Sequence, residues 1–152
     1  MRSSTSPPGS SASAIDSNYL HIHIHIHLYI SYNLVIDAYC RSDQCLAAAA
    51  VLRKLIKRDQ PDTFSFTTVL HALAKSSIDG ASRLAEELLF YMEAAYKSGL
   101  HPKARPDAMS YSSVICAHSR SGQPKAAERA QALFNVMKKR AAAGERHLKP
   151  NR

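Results

Sequence analysis

One stretch of this chain occurs three times. Residues 31–42 read SYNLVIDAYCRS, residues 65–76 read SFTTVLHALAKS and residues 110–121 read SYSSVICAHSRS. Laid over one another without gaps, they share Ser, an aromatic ring and a small polar residue. Val follows two places on, then Ile or Leu. Ala, Arg or Lys, and Ser complete the match. A local pattern returning every few dozen residues marks a protein built by stacking one supersecondary unit, whose function lies on a repeated surface.

The period inside the repeat says what the unit is. Tyr32, Val35, Ile36 and Tyr39 fall at i, i+3, i+4 and i+7, which is one face of a helix. Phe66, Val69, Leu70 and Leu73 repeat that face, as do Tyr111, Val114, Ile115 and His118. A second apolar stripe follows each time: Ala48, Val51, Leu52 and Leu55, then Ala85, Leu88, Leu89 and Met92, then Ala130, Leu133, Phe134 and Met137. The leading alanine allows two helices to approach closely. Between units stand Gln60-Pro61-Asp62, Arg105-Pro106-Asp107 and Lys149-Pro150-Asn151. Proline stops a helix there, and Asp or Asn can cap the next one. The expected fold is all-α, a solenoid of three helix–turn–helix units over 29–62, 63–107 and 108–151. The later two units are over-long, through Ile78–Leu84 and Gln123–Arg129 before the alanine and through Ala94–Arg105 and Lys138–Lys149 at the end.

The segment ahead of the repeats reads differently. Residues 1–18 are rich in Ser, Pro and Gly, and the composition predicts a disordered leader over 1–28 that ends in low-complexity sequence. One Arg and no acid before Asp16 suit a transit peptide, but an Arg-rich amphipathic helix is missing, and a plain flexible leader reads as well. Residues 21–27 are HIHIHIH. Strict alternation predicts a strand with His21, His23, His25 and His27 on one face. Four imidazoles on one edge suit a metal, whereas so regular a two-residue unit suits expansion of a short repeat. The second reading is preferred, and no metal site is assigned.

Charge and cysteine narrow the function. The formal charge is +8 in 152 residues, a balance that suits RNA, DNA or an acidic membrane face, and equally an ordinary basic protein. No apolar run is long enough to span a membrane. The cysteines are Cys40, Cys45 and Cys116, an odd number without Cys-x-x-Cys, against a disulfide framework and a four-ligand zinc site. Cys40 stands where the other copies have Ala74 and Ser119, so it reads as a small packing residue.

The units resemble the pentatricopeptide repeat, whose pattern runs aromatic-Asn/Thr-x-Leu-Ile, Lys-x-Gly, Ala-x-x-Leu-Phe-x-x-Met and then Pro-Asp. SYNLVIDAYCR with AAAAVLRKL and QPD fits that pattern, and so does SYSSVICAHSRSGQ with ALFNVM and KPN. The resemblance covers about 29–151. The tetratricopeptide repeat is the nearest rival, but its Trp-x-x-Leu-Gly-x-x-Tyr pattern is missing, with Ile36, Leu70 and Ile115 at the glycine position. The resemblance implies single-stranded RNA as partner, about one base per unit. It places the base-reading pairs at Asn33 with Asp62, Thr67 with Asp107, and Ser112 with Asn151, and by the family's habits these select U, G and A. It places an apolar wedge between bases at Ile30, Phe64 and Met109. Asn33, Thr67, Ser112, Asp62, Asp107 and Asn151 are equally suited to capping helices. Arg41, Lys75 and Arg120 recur in register and either contact phosphate or offset a helix dipole.

The resemblance also implies RNA processing, editing, stabilisation or translation in a mitochondrion or plastid, with the cytoplasm as the alternative. No catalytic motif is present: the deaminase extension of some relatives needs His-x-Glu and Cys-x-x-Cys, and neither occurs. No enzyme activity, cofactor, membrane or small-molecule substrate is expected. Three units are about the minimum for a stable stack, and the last helix has no evident polar cap, so the expectation is either a fragment of a longer array or a chain that pairs with another protein subunit. The competing function is a helical scaffold that binds protein.

Overall fold

A computed structural model describes the backbone of residues 10–58 and 60–150, with side chains from residue 14 onward. Six α-helices follow one another: α1 (Ser10–Arg41), α2 (Cys45–Arg58), α3 (Thr63–Lys75), α4 (Ala81–Lys97), α5 (Ala108–Ser121) and α6 (Ala126–Ala142). A 3-10 turn, Arg146–Leu148, closes the series. The helices pair as α1–α2, α3–α4 and α5–α6. Helix α3 also packs on both α1 and α2, and α5 on both α3 and α4. Each later first helix therefore lies in the groove of the pair before it. The backbones of α2, α4 and α6 stay apart, and α6 reaches α4 through the side chains of Arg129 and Arg140, which pair with Glu86 and Glu93. The result is the expected all-α stack of three hairpins, a short α-solenoid.

Proline and aspartate set the joints. Asp62 and Asp107 adopt extended backbone and cap α3 and α5 through the amides of Ser65 and Ser110. At Asp107 the cap is reciprocal: the Ser110 hydroxyl accepts from the Asp107 amide at 3.3 Å. Gly122 ends α5 in the left-handed region at φ 61°, where a side chain is strained. The extra length of the later units goes into second helices of 17 residues against 14 for α2, and into the loops behind them.

Ahead of the first unit the sequence has no Pro-Asp, and the helix does not start there. Helix α1 runs back to Ser10. The strand expected at 21–27 is replaced by helix, and so is the part of the 1–28 leader that lies within 10–28; residues 1–9 lie outside the described residues. The reason is that alternation specifies a strand only where a sheet edge can take its backbone hydrogen bonds. Among the described residues there is no strand. A helix already nucleated by the packed residues 29–41 extends at one hydrogen bond per residue and satisfies its own backbone. The histidines accordingly divide between two faces. His21 and His25 approach to 3.1 Å, and His23 and His27 form a second ring pair.

The core follows the two stripes. Phe66, Val69, Leu70, Leu73, Tyr111 and Val114 on the first helices are fully buried, with Leu52, Leu55, Leu89, Met92 and Met137 on the second. A polar network ties the last two hairpins together. The Tyr111 hydroxyl donates to Glu93, Arg140 donates to Glu93 and, at 2.7 Å, to Tyr111, and it grips Glu145 at 2.9 and 2.7 Å.

The loop behind α4 is pinned by His101, which is buried and pairs through Nε2 with the Tyr91 hydroxyl at 3.1 Å. Burial pushes its imidazole below the usual histidine range. The unfolded chain therefore takes a proton near pH 6.5 that the fold refuses. Stability is expected to be level above that pH and to fall as pH drops below it. Urea titrations between about pH 7.5 and 5.5 should show this slope, and His101→Gln should flatten it.

Candidate nucleic-acid interface

Helical geometry sorts the start of each first helix. Ser65 and Phe66, like Ser110 and Tyr111, point inward and are fully buried. The residue two places before the aromatic lies about 200° round the helix and must face out. Ile30, Phe64 and Met109 do so, at 46%, 58% and 52% exposure. The small polar residue three places further on returns to that outer side one turn along. Asn33 and Thr67 are half-buried there and Ser112 is exposed. The three wedge residues and three of the expected readers thus form a row of pairs in register, one pair per hairpin.

The closing residues of the units meet this row unequally. Docking of α3 beside α1 brings Asn33 and Asp62 together through Ser65. The Ser65 hydroxyl lies 2.8 Å from Asn33 Oδ1 and 2.9 Å from Asp62 Oδ1. One hydroxyl proton cannot serve both, so the Asn33 amide turned with Nδ2 towards Ser65 resolves the contact. The second Asp62 oxygen accepts from the Tyr29 phenol at 2.5 Å. Burial, then that hydrogen bond and the carboxylate charge, push the Tyr29 phenol up to about 12. Both oxygens of Asp62 are therefore in use.

Asp107 differs. Its Oδ1 accepts from the Ser110 amide and hydroxyl, both at 2.8 Å, while Oδ2 makes no hydrogen bond among the described residues. Thr67 turns its hydroxyl back to the carbonyls of Thr63 and Phe64 at 2.9 and 3.2 Å. Asn151, expected to pair with Ser112, lies outside the described residues.

The recurring cations lie elsewhere. Arg41, Lys75 and Arg120 are exposed in the last turns of α1, α3 and α5, about 16 Å along each helix from the wedge. Arg41 pairs with Asp37 at 2.7 Å. The cations that do reach the wedge end are Lys103 and Arg105. The Thr63 amide donates to the Lys103 carbonyl at 3.1 Å, and the Thr63 hydroxyl donates to the Arg105 carbonyl at 2.8 Å. Both side chains are exposed beside the start of α3, and Lys103 lines a cleft with His25, Tyr29 and Asp62. The sequence signal for them was the over-long tail of the second unit, which reads as length rather than as a loop folded back on its own first helix.

No cluster of three or more metal-ligating side chains occurs among the described residues. The Cys40 thiol, pushed up to about 11 by burial and by the nearby Asp37 and Cys45, stays protonated and unreactive at neutral pH. No described helix is long and apolar enough to cross a membrane.

Stacked hairpins bearing a register-locked outward row define a helical-repeat protein. The family model described as PPR repeat matches residues 30–59 and 109–140, so the first and third hairpins carry pentatricopeptide repeats. Between the two matches lies the α3–α4 hairpin, which packs as the others do. No curated protein and no solved structure matches the chain.

Proposed function

We propose that the chain binds single-stranded RNA without catalysis, one base to each hairpin. The observation that carries this reading is the exposure of Ile30, Phe64 and Met109 in register. The core does not need them, and each sits beside a side chain that can donate and accept. An exposed apolar residue beside a polar one suits a base, whose faces are apolar and whose edges are polar. On this reading Asn33 with Asp62 selects U, Thr67 with Asp107 selects G, and Ser112 with Asn151 selects A. Lys103 and Arg105 meet phosphate at the wedge end, while Arg41, Lys75 and Arg120 chiefly offset helix dipoles. The setting proposed is RNA processing, editing, stabilisation or translation in a mitochondrion or plastid.

The test is fluorescence anisotropy with single-stranded RNA at about 50 and about 200 mM salt, since phosphate contacts make binding fall with salt. Phe64→Ala is expected to weaken binding about tenfold at both concentrations, the stacking share of one base. Lys103→Ala should weaken all sequences alike and lower the salt slope by about one. Absence of binding at low salt would favour the protein-binding scaffold.

A further inference from the structure

The same register positions differ in burial between the ends of the stack and its middle. On the first helices, Val69 and Val114 are fully buried, each covered by the pair before it, whereas Val35 of α1 is 44% exposed. Ala38 and Leu34 are exposed where Ala117 and Ser113 are buried. The same face of α1 runs on through Leu28, Ile24 and Leu20. At the other end the groove itself is open. Leu52 and Leu89, fully buried because α3 and α5 lie on them, correspond to Phe134 at 37% exposure. Cys45 and Ser82, both buried, correspond to exposed Ala127, and buried Ile36 and Leu70 to half-buried Ile115. Ile115, Ser119, Ala126, Ala130 and Phe134 line this groove.

Among the described residues, one end thus has a first helix without a groove, and the other has a groove without a first helix. Both are built to the pattern that joins α3 to α1–α2 and α5 to α3–α4. We propose that a second copy of this chain docks head to tail, its α1 face seated in the α5–α6 groove. Charge favours this occupant. In a chain of net +8, residues 14–40 contain Asp16 and Asp37 but no Lys or Arg, so α1 can approach another copy without repulsion between cations. Ala126 and Ala130 permit the close approach that Ala48 and Ala85 permit inside the stack. The contact is heterologous, so each addition leaves one open face and one open groove. Joined copies align their wedge rows, so the array addresses more bases than one chain can.

Sedimentation velocity on the whole chain without RNA tests this separately from RNA binding. The weight-average mass should rise with concentration past the dimer. Val35→Glu blocks the helix face and Phe134→Glu blocks the groove, and each variant alone should stay monomeric. Mixed in equal amounts they retain one intact face and one intact groove between them, and should form a pair that grows no further. Leu34→Glu and Ala127→Glu, at more exposed sites, replace either variant if its melt shows damage. A wild-type chain that stays monomeric, a dimer that one of the two substitutions leaves intact, or a mixture that remains monomeric overturns the proposal.

Discussion

Phe66→Ala is expected to cost about 3–5 kcal/mol of folding free energy, the range for truncating a buried aromatic. Phe66 is fully buried at the start of α3 and its ring stacks on Tyr91 of α4, centroids 6.2 Å apart. It therefore fixes the middle hairpin internally. In a linear stack each unit contacts only its neighbours, so loosening the middle one withdraws support from both flanks. A domain of this size has about 5–15 kcal/mol in hand. Chemical denaturation followed by helical circular dichroism should show the midpoint falling sharply, with both ends lost in one transition. The half-exposed Val35 is the control, and Val35→Ala should cost under about 1 kcal/mol by comparison. A loss at Phe66 no larger than that control would mean the middle hairpin is not the keystone.

Arg140→Met is expected to cost about 1–3 kcal/mol, the range for taking the main charged partner from a mostly buried carboxylate. The guanidinium joins Glu93 of α4, the Tyr111 phenol of α5 and Glu145 behind α6. Its side chain and that of Glu93 are 21% and 16% exposed, so water repays only part of the loss. Burial and Glu93 already hold the Tyr111 phenol above its ordinary range, and removing the Arg140 cation leaves that carboxylate only the exposed Lys97 ammonium, 4.0 Å away, and the Tyr111 hydroxyl. Adding Glu93→Gln should restore part of the loss, because a neutral amide tolerates the site. A double-mutant cycle reads the coupling directly. Additive single effects would show that the three groups are neighbours without being a network.

What the sequence made legible was the joint chemistry. Pro61-Asp62 and Pro106-Asp107 predict the starts of α3 and α5, and both carboxylates cap as expected. The two apolar stripes predict the core of the middle hairpin residue by residue. Alternation misled at HIHIHIH, because period two is a statement about a sheet that has to exist elsewhere in the chain. The stripe misled at Val35 for a related reason: helical period fixes which face is apolar, while burial depends on a neighbour that the first unit does not have among the described residues.

At the candidate site, the outward row at Ile30, Phe64 and Met109 was legible because it sits at fixed spacing from the buried aromatics. The inequality between Asp62 and Asp107 was not. It arises because position 29 is Tyr in the first unit while its counterparts Thr63 and Ala108 are too short to reach a carboxylate in this way, and Tyr29 meets Asp62 only after the hairpin closes. Lys103 and Arg105 escaped for the same reason, since their place depends on a loop returning to Thr63.

Asp107 is the residue at which capping and reading can be separated. Asn caps a helix about as well as Asp, so Asp107→Asn should leave the melt of the chain within a few tenths of a kcal/mol. The free Oδ2 becomes an amide that donates as well as accepts. Binding of the whole chain to single-stranded RNAs that differ only at the base facing the middle hairpin is the direct measurement. The reading account predicts that the preference moves from G towards A while the melt stays put. If Asp107→Asn weakens every RNA equally and the preference stays at G, Asp107 caps α5 and reads nothing, and the recognition scheme fails.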